Sequence, residues 1–251
     1  MAEPRQGYAL ARLAARHGAA GAARDRALLN ASRGADRYLE VLRQTRLLAP
    51  PESVTTHDVD AFEGYLVGAW RDACEEIARW HPPRWRPAYR WCARLAELTA
   101  LDGLRGPVAP GGWARHDVLL GPLVAAPADE RPAALAAGVL APLAAAFAAG
   151  ASLPAAWRAH WHALWPRGQR AAARRLAELE ALYASAVADA PATERRARLA
   201  EGLERLYRRS RGSAAAGFCE LGRRARDLET WRGGFAARLY APATAPREPP
   251  P

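Results

Sequence analysis

The chain has 251 residues, enough for one large domain or two small ones around a real core. Alanine and leucine dominate and β-branched residues are scarce, so helices are expected and a sheet-based fold is not. The formal charge is +10. All 36 positive side chains are arginine, which reads as codon bias rather than phosphate recognition, while the net charge favours an acidic partner, an anionic membrane surface or nucleic acid.

In chain order, a first helix is expected over Arg5–Asn30, weakened around Gly18 and Gly21, and a second over Arg33–Leu48 with Ser32 as its N-cap. Pro50 and Pro51 end it. A third begins near Thr56 or Asp58. Its apolar residues Val59, Phe62, Leu66, Trp70, Ala73, Ile77 and Trp80 recur at spacings of three and four and share one face. The aromatic segment Trp80–Pro87 reads as a tight turn. A fourth helix follows over Ala88–Leu104, with Trp91, Leu95, Leu98 and Leu101 on its stripe. Gly103, Gly106, Pro107, Pro110, Gly111 and Gly112 then mark the clearest break in the chain.

Beyond the break, helices are expected over Asp129–Ala149, through Trp157, Trp161 and Trp165, and over Gln169–Ala188, Thr193–Ser210 and Ala214–Tyr240. Glu194–Arg198, Glu201–Arg205 and Glu204–Arg208 are favourable pairs four apart. The last helix carries the stripe Phe218, Leu221, Ala225, Leu228, Phe235 and Leu239. The fold class is therefore all-α, a multi-helix array of two loosely similar sub-domains. The first spans residues 1–105 and the second 129–240, with 106–128 as a linker and 241–251 as a Pro-rich disordered tail.

No stretch carries a recognisable catalytic set. There is no P-loop, dinucleotide-binding glycine pattern, nucleophile elbow or Glu-x-x-His pair. His160 and His162 are two apart, which turns their rings about 200° from each other on a helix and disfavours joint metal ligation. The Trp157–Trp161–Trp165 series reads as core packing. Cys74, Cys92 and Cys219 form no CxxC pair, and Cys92 and Cys219 read as small buried hydrophobes in a reducing cytoplasm. Residues 1–21 have neither the charge pattern nor the apolar run of a signal peptide or anchor. The alanine-rich stretch Pro132–Leu153 reads as a buried helix rather than a membrane span. The expected result is a protein that is not an enzyme and holds no cofactor or metal. The basic runs Arg167–Arg175 and Arg205–Arg211 keep a nucleic-acid-binding or adaptor role as the alternative, although nearby acids make them look like solvated helix faces.

Four segments resemble the central-stalk subunit of vacuolar and archaeal rotary ATPases, called C or d. They are Tyr8-Ala9-Leu10-Ala11-Arg12-Leu13, Leu39-Glu40-Val41-Leu42-Arg43-Gln44-Thr45, Asp60-Ala61-Phe62-Glu63 and the final helix. There the family reads K-E-x-E-I-R-N-L-R and then glycine. This chain has Arg224 to Arg232 and then Gly233, with Ala225 in place of the glutamate and Thr230 in place of the asparagine. The family is built from three related helical sub-domains, one of which is trimmed in a chain of this length. The resemblance implies a non-catalytic funnel of helices on the cytoplasmic face of the membrane. It links the rotating shaft to the membrane rotor ring for proton or sodium transport, as a peripheral structural subunit. Trp80, Arg84, Trp85, Arg86, Trp113 and Arg115 are the expected partner contacts.

Overall fold

The computed structural model describes residues 4–19, 23–45, 48–106, 110–186 and 191–240, and among them all regular structure is helical. The helices are α1 (Pro4–Ala19), α2 (Ala23–Ala31), α3 (Ala35–Gln44), α4 (Val59–Trp80), α5 (Arg86–Cys92) and α6 (Leu98–Arg105). They continue with α7 (Trp113–His116), α8 (Gly121–Ala125), α9 (Arg131–Ala136), α10 (Ala144–Ala148), α11 (Leu153–Ala163), α12 (Arg170–Ala186), α13 (Ala192–Arg209) and α14 (Ala215–Tyr240). Short 3-10 turns lie at Pro83–Trp85, Ala93–Glu97 and Ala141–Leu143. The expected tail, 241–251, lies outside the described residues, as do Gly21 and Pro107.

The long helices follow their apolar spacing. The Asp58 side chain caps α4 by accepting the Ala61 N–H at 2.8 Å. The buried face of α4 includes Phe62, Leu66, Trp70, Ala73, Ile77 and Trp80, and Pro82 and Pro83 stop the helix just beyond. Each large side chain so buried stabilises the fold by about 1.5–3 kcal/mol. In α14, residues 215–222 are buried on every side, and the later turns bury only Leu228, Trp231 and Phe235. The helix packs on α3, α4, α12 and α13 and touches α1. The Phe62 and Phe235 ring centroids lie 4.4 Å apart across the α4–α14 contact. One apolar core thus includes residues from both segments that the sequence divides. The segment 106–128 carries α7 and α8, and α7 packs on α4.

Local expectations fail where the backbone has other means. The Ser32 hydroxyl donates to Leu29 O at 2.7 Å and closes α2 instead of capping the next helix. The cap of α3 is Gly34, whose φ of 76° suits a residue without Cβ. The region expected as one helix over Asp129–Ala149 is broken into α9, a turn, a 3-10 turn and α10. Pro142 supplies no backbone donor there, and the Gly138 N–H bonds back to Leu135 O in a tight turn. The fourth expected helix passes through a 3-10 turn at 93–97, which changes its phase from 3.6 to about 3 residues per turn. Leu95, expected on the apolar stripe, is therefore 41% exposed, whereas Glu97 is fully buried. Of the pairs on α13, Glu194–Arg198 and Glu204–Arg208 form, and Arg205 makes no ion pair with Glu201.

An aromatic knot joins α5, α11 and α14. Tyr89 stacks on Phe218 at 4.0 Å, and its hydroxyl donates to Ala214 O. Trp91 and Trp157 each donate an indole N–H to the other's carbonyl, at 3.0 and 3.2 Å. His81, 1% exposed, bonds Ile77 O at 2.9 Å through Nδ1. Gly217 is obligatory at this point, because a Cβ would sit 2.6 Å from the Tyr89 oxygen and 2.8 Å from the His81 ring. Gly217→Ala is expected to destabilise the chain by about 1–3 kcal/mol through overpacking, read as a lower urea midpoint. Burial pushes the His81 pKa down from 6.5 to about 4. The unfolded chain gains a proton below its ordinary value while the folded chain refuses it until about 4. Stability is thus retained above pH 6.5 and falls between 6.5 and 4, by about 3 kcal/mol at most. Urea titrations across that range should show this slope in the wild type and a shallower one in His81→Gln.

Candidate partner-binding grooves

The expected contact residues separate into three groups. Trp80 and Trp85 are core residues, because α1, α5 and α14 close over that corner, and they present no contact surface. Trp85 meets Phe218 edge-on at 6.0 Å, and Arg12 and Arg16 cover the Trp80 ring. Arg86 is half-buried and spends its donors on the His81 and Arg79 carbonyls, while Arg84 is exposed. Trp113 and Arg115 do line open grooves.

One groove, about 810 Å³, runs between α4, α6, the 110–113 segment and α14. Its floor is apolar, from Leu66 and Trp70 of α4, Ala100 of α6 and Leu228 of α14. Leu95 and Thr99 stand exposed at its edge. At one rim Arg232 bridges to Glu63 through Nε and Nη2, at 3.0 and 2.9 Å. These two residues belong to the third and fourth segments of the resemblance, so likeness-bearing stretches form facing walls. The sequence did not single out the groove. The one available signal is Leu95, an apolar residue next to the glutamate that takes its place inside.

A second groove, polar and about 650 Å³, lies between the start of α4 and α7. Asp60 Oδ1 accepts the Trp113 N–H at 3.1 Å and so seats α7 against α4. A third, about 520 Å³, is lined by Arg71, Arg90, Trp91, Val139 and His160.

Beneath these grooves Arg71 holds three elements together. Its guanidinium reaches Glu97 Oε1 at 2.8 Å through Nε and Asp117 Oδ1 at 3.1 Å through Nη2. Asp117 also accepts the Leu119 and Leu120 N–H groups at 2.9 and 3.0 Å. Burial opposes the Asp117 charge, but the Arg71 bonds and those two amides outweigh it and hold its carboxyl below the usual range. Glu97 differs: burial outweighs Arg94 and Arg71 and pushes its carboxyl up. The chemistry of the Arg71 cluster is ionic positioning. All three cysteines are buried, and burial pushes the Cys219 thiol up to about 12. His160 packs edge-on to Trp91 at 4.5 Å, while His162 bonds Glu180 at 2.8 Å, so the two rings serve different neighbours. Arg71→Met should cost about 3–5 kcal/mol in urea unfolding, because it strips Glu97 and Asp117 of a shared counter-charge in partly dry surroundings. Glu97→Gln should cost clearly less.

The resemblance implies a funnel. The buried residues of the described helices form one apolar cluster. No helix among the described residues is long and apolar enough to cross a membrane. Comparison with family models, curated proteins and solved structures finds no match.

Proposed function

We propose that this chain is a non-catalytic coupling subunit of a vacuolar or archaeal-type rotary ATPase. It joins the rotating shaft to the membrane rotor ring during proton or sodium transport and associates peripherally with the cytoplasmic face of the membrane. One observation carries the reading. The four segments that resemble the stalk subunit are scattered from Tyr8 to Gly233, yet their helices α1, α3, α4 and α14 pack as neighbours. Phe62 meets Phe235, Glu63 pairs with Arg232, and the Tyr38 hydroxyl, one residue before the second segment, bonds Trp231 O at 3.4 Å. Segments of a shared ancestral unit are expected to meet in this way, here through α14, which packs on α1, α3 and α4.

A closely packed helical body resists bending, which suits torque transmission. The groove between α4 and α14 is the proposed seat for an apolar helix face of the shaft, with Trp113 at its entrance. A tagged chain purified from its own membranes in mild detergent should retain the shaft and catalytic ATPase subunits. Thr99→Arg places a charge at the groove edge without touching the core, and should lower the retained shaft at least about tenfold. Recovery as a free chain, with intact ATPase left behind on the same membranes, would sink the reading.

A further inference from the structure

Two arginine-rich runs, 167–175 and 205–211, are well separated in sequence but meet in space. Helices α12 and α13 run antiparallel: Arg209 Nη2 lies 3.2 Å from Glu178 Oε2, and Gly202 packs directly on Leu182. The start of α12 therefore sits beside the end of α13. The chain turns at this end through Gly168 and Gly212, at φ 80° and 91°. Here Arg167, Arg170, Arg174, Arg205 and Arg211 are exposed, and none has a carboxylate partner among the described residues. Of the local acids, Glu178 is engaged by Arg175 and Arg209 and Glu204 by Arg208, while Glu201 is exposed on α13 and forms no ion pair with Arg205.

Two observations point to an anionic partner. First, α12 has no acidic residue in its first turn and opens on Arg170 and Arg174, so like charge accumulates at the positive end of the helix dipole. An external anion relieves that repulsion. Second, these arginines stand in the open and line none of the three grooves described above. Of the nearby rings, Tyr207 and Trp161 are buried, at 3% and 4% exposure, and Trp165 is half-buried against Trp161 and His162, so little ring face is offered to a nucleic-acid base. An exposed array of arginines with its neighbouring rings largely enclosed complements a plane of phosphates in charge.

We infer that this end of the α12–α13 hairpin docks on the phosphate headgroups of an anionic bilayer. The inference gives the proposed membrane association a definite surface. Its test uses the chain alone, so it can fail while the ATPase reading stands, and the reverse.

Purified full-length chain is sedimented with vesicles of phosphatidylserine in phosphatidylcholine, and with phosphatidylcholine alone. Binding to the anionic vesicles is expected, weakening as salt rises. Each arginine near such a surface contributes roughly fivefold to partitioning. Arg167→Gln/Arg170→Gln/Arg174→Gln should therefore lower binding about 100-fold, and Arg205→Gln/Arg211→Gln about 25-fold. Arg24→Gln/Arg33→Gln/Arg37→Gln removes the same charge from exposed sites on α2, the turn after it and α3, and should retain nearly full binding. Equal binding to both vesicle types overturns the inference, as does equal loss in the control variant. A labelled DNA or RNA strand that binds through these same arginines while the vesicles do not would assign the surface to nucleic acid instead.

Discussion

The burial of the first two turns of α14 on all sides is the constraint on which the rest depends. Residues 215–222 lie between α4, α5, α12 and α13, so no face of this stretch is available to water. Such a seat tolerates only small or shape-matched residues. Ala215, Ala216 and Gly217 let the neighbouring rings approach, and Phe218 fills the space between Tyr89 and Trp161. Past residue 222 the same helix becomes amphipathic. Its later turns cover α4 and α3 with Leu228, Trp231 and Phe235, and Arg238 satisfies the Ser32 and Leu29 carbonyls while lying over the Tyr38 ring. A single helix thereby joins the early helices to the late hairpin.

Buried charge ties separate elements to this frame. Arg71 serves two carboxylates on separate elements, and each has a different environment. Asp117 is supported by two loop amides and its carboxyl is held low, whereas Glu97 is enclosed, and burial outweighs Arg94, Arg71 and its own backbone amide. Ion pairs of this kind contribute little net stability compared with apolar packing, but they fix which elements meet. The result is a defined position for the α7 segment against α4, and hence defined walls for the two grooves that flank it.

The positive charge is unevenly used. Many arginines are committed to internal tasks: Arg43 and Arg105 bond backbone carbonyls, and Arg90 is held by Glu75. At the end of the α12–α13 hairpin Arg175, Arg208 and Arg209 are held by glutamates, whereas Arg167, Arg170, Arg174 and Arg205 have no carboxylate partner among the described residues. The two proposed surfaces thus differ in chemistry, one an apolar groove for a helix and the other a charged end for phosphates. This division is consistent with a body that spans between a protein shaft and a membrane.

The all-helical class, the span of α4, the burial of Trp157 and Trp161 and the different neighbours of His160 and His162 were legible in the sequence, because spacing along a helix fixes which side chains share a face. Periodicity failed where local backbone chemistry competed with it. The 3-10 turn at 93–97 exchanged the roles of Leu95 and Glu97, Pro142 and Gly138 broke an alanine-rich run, and Gly34 displaced Ser32 as a cap. Only the tertiary structure decided that Trp80 and Trp85 are core, that α4 and α14 enclose a groove, and that two distant arginine runs share one end. Those outcomes depend on which helix faces meet, and pairing between faces is set by shape and charge across elements, which spacing within one element does not contain.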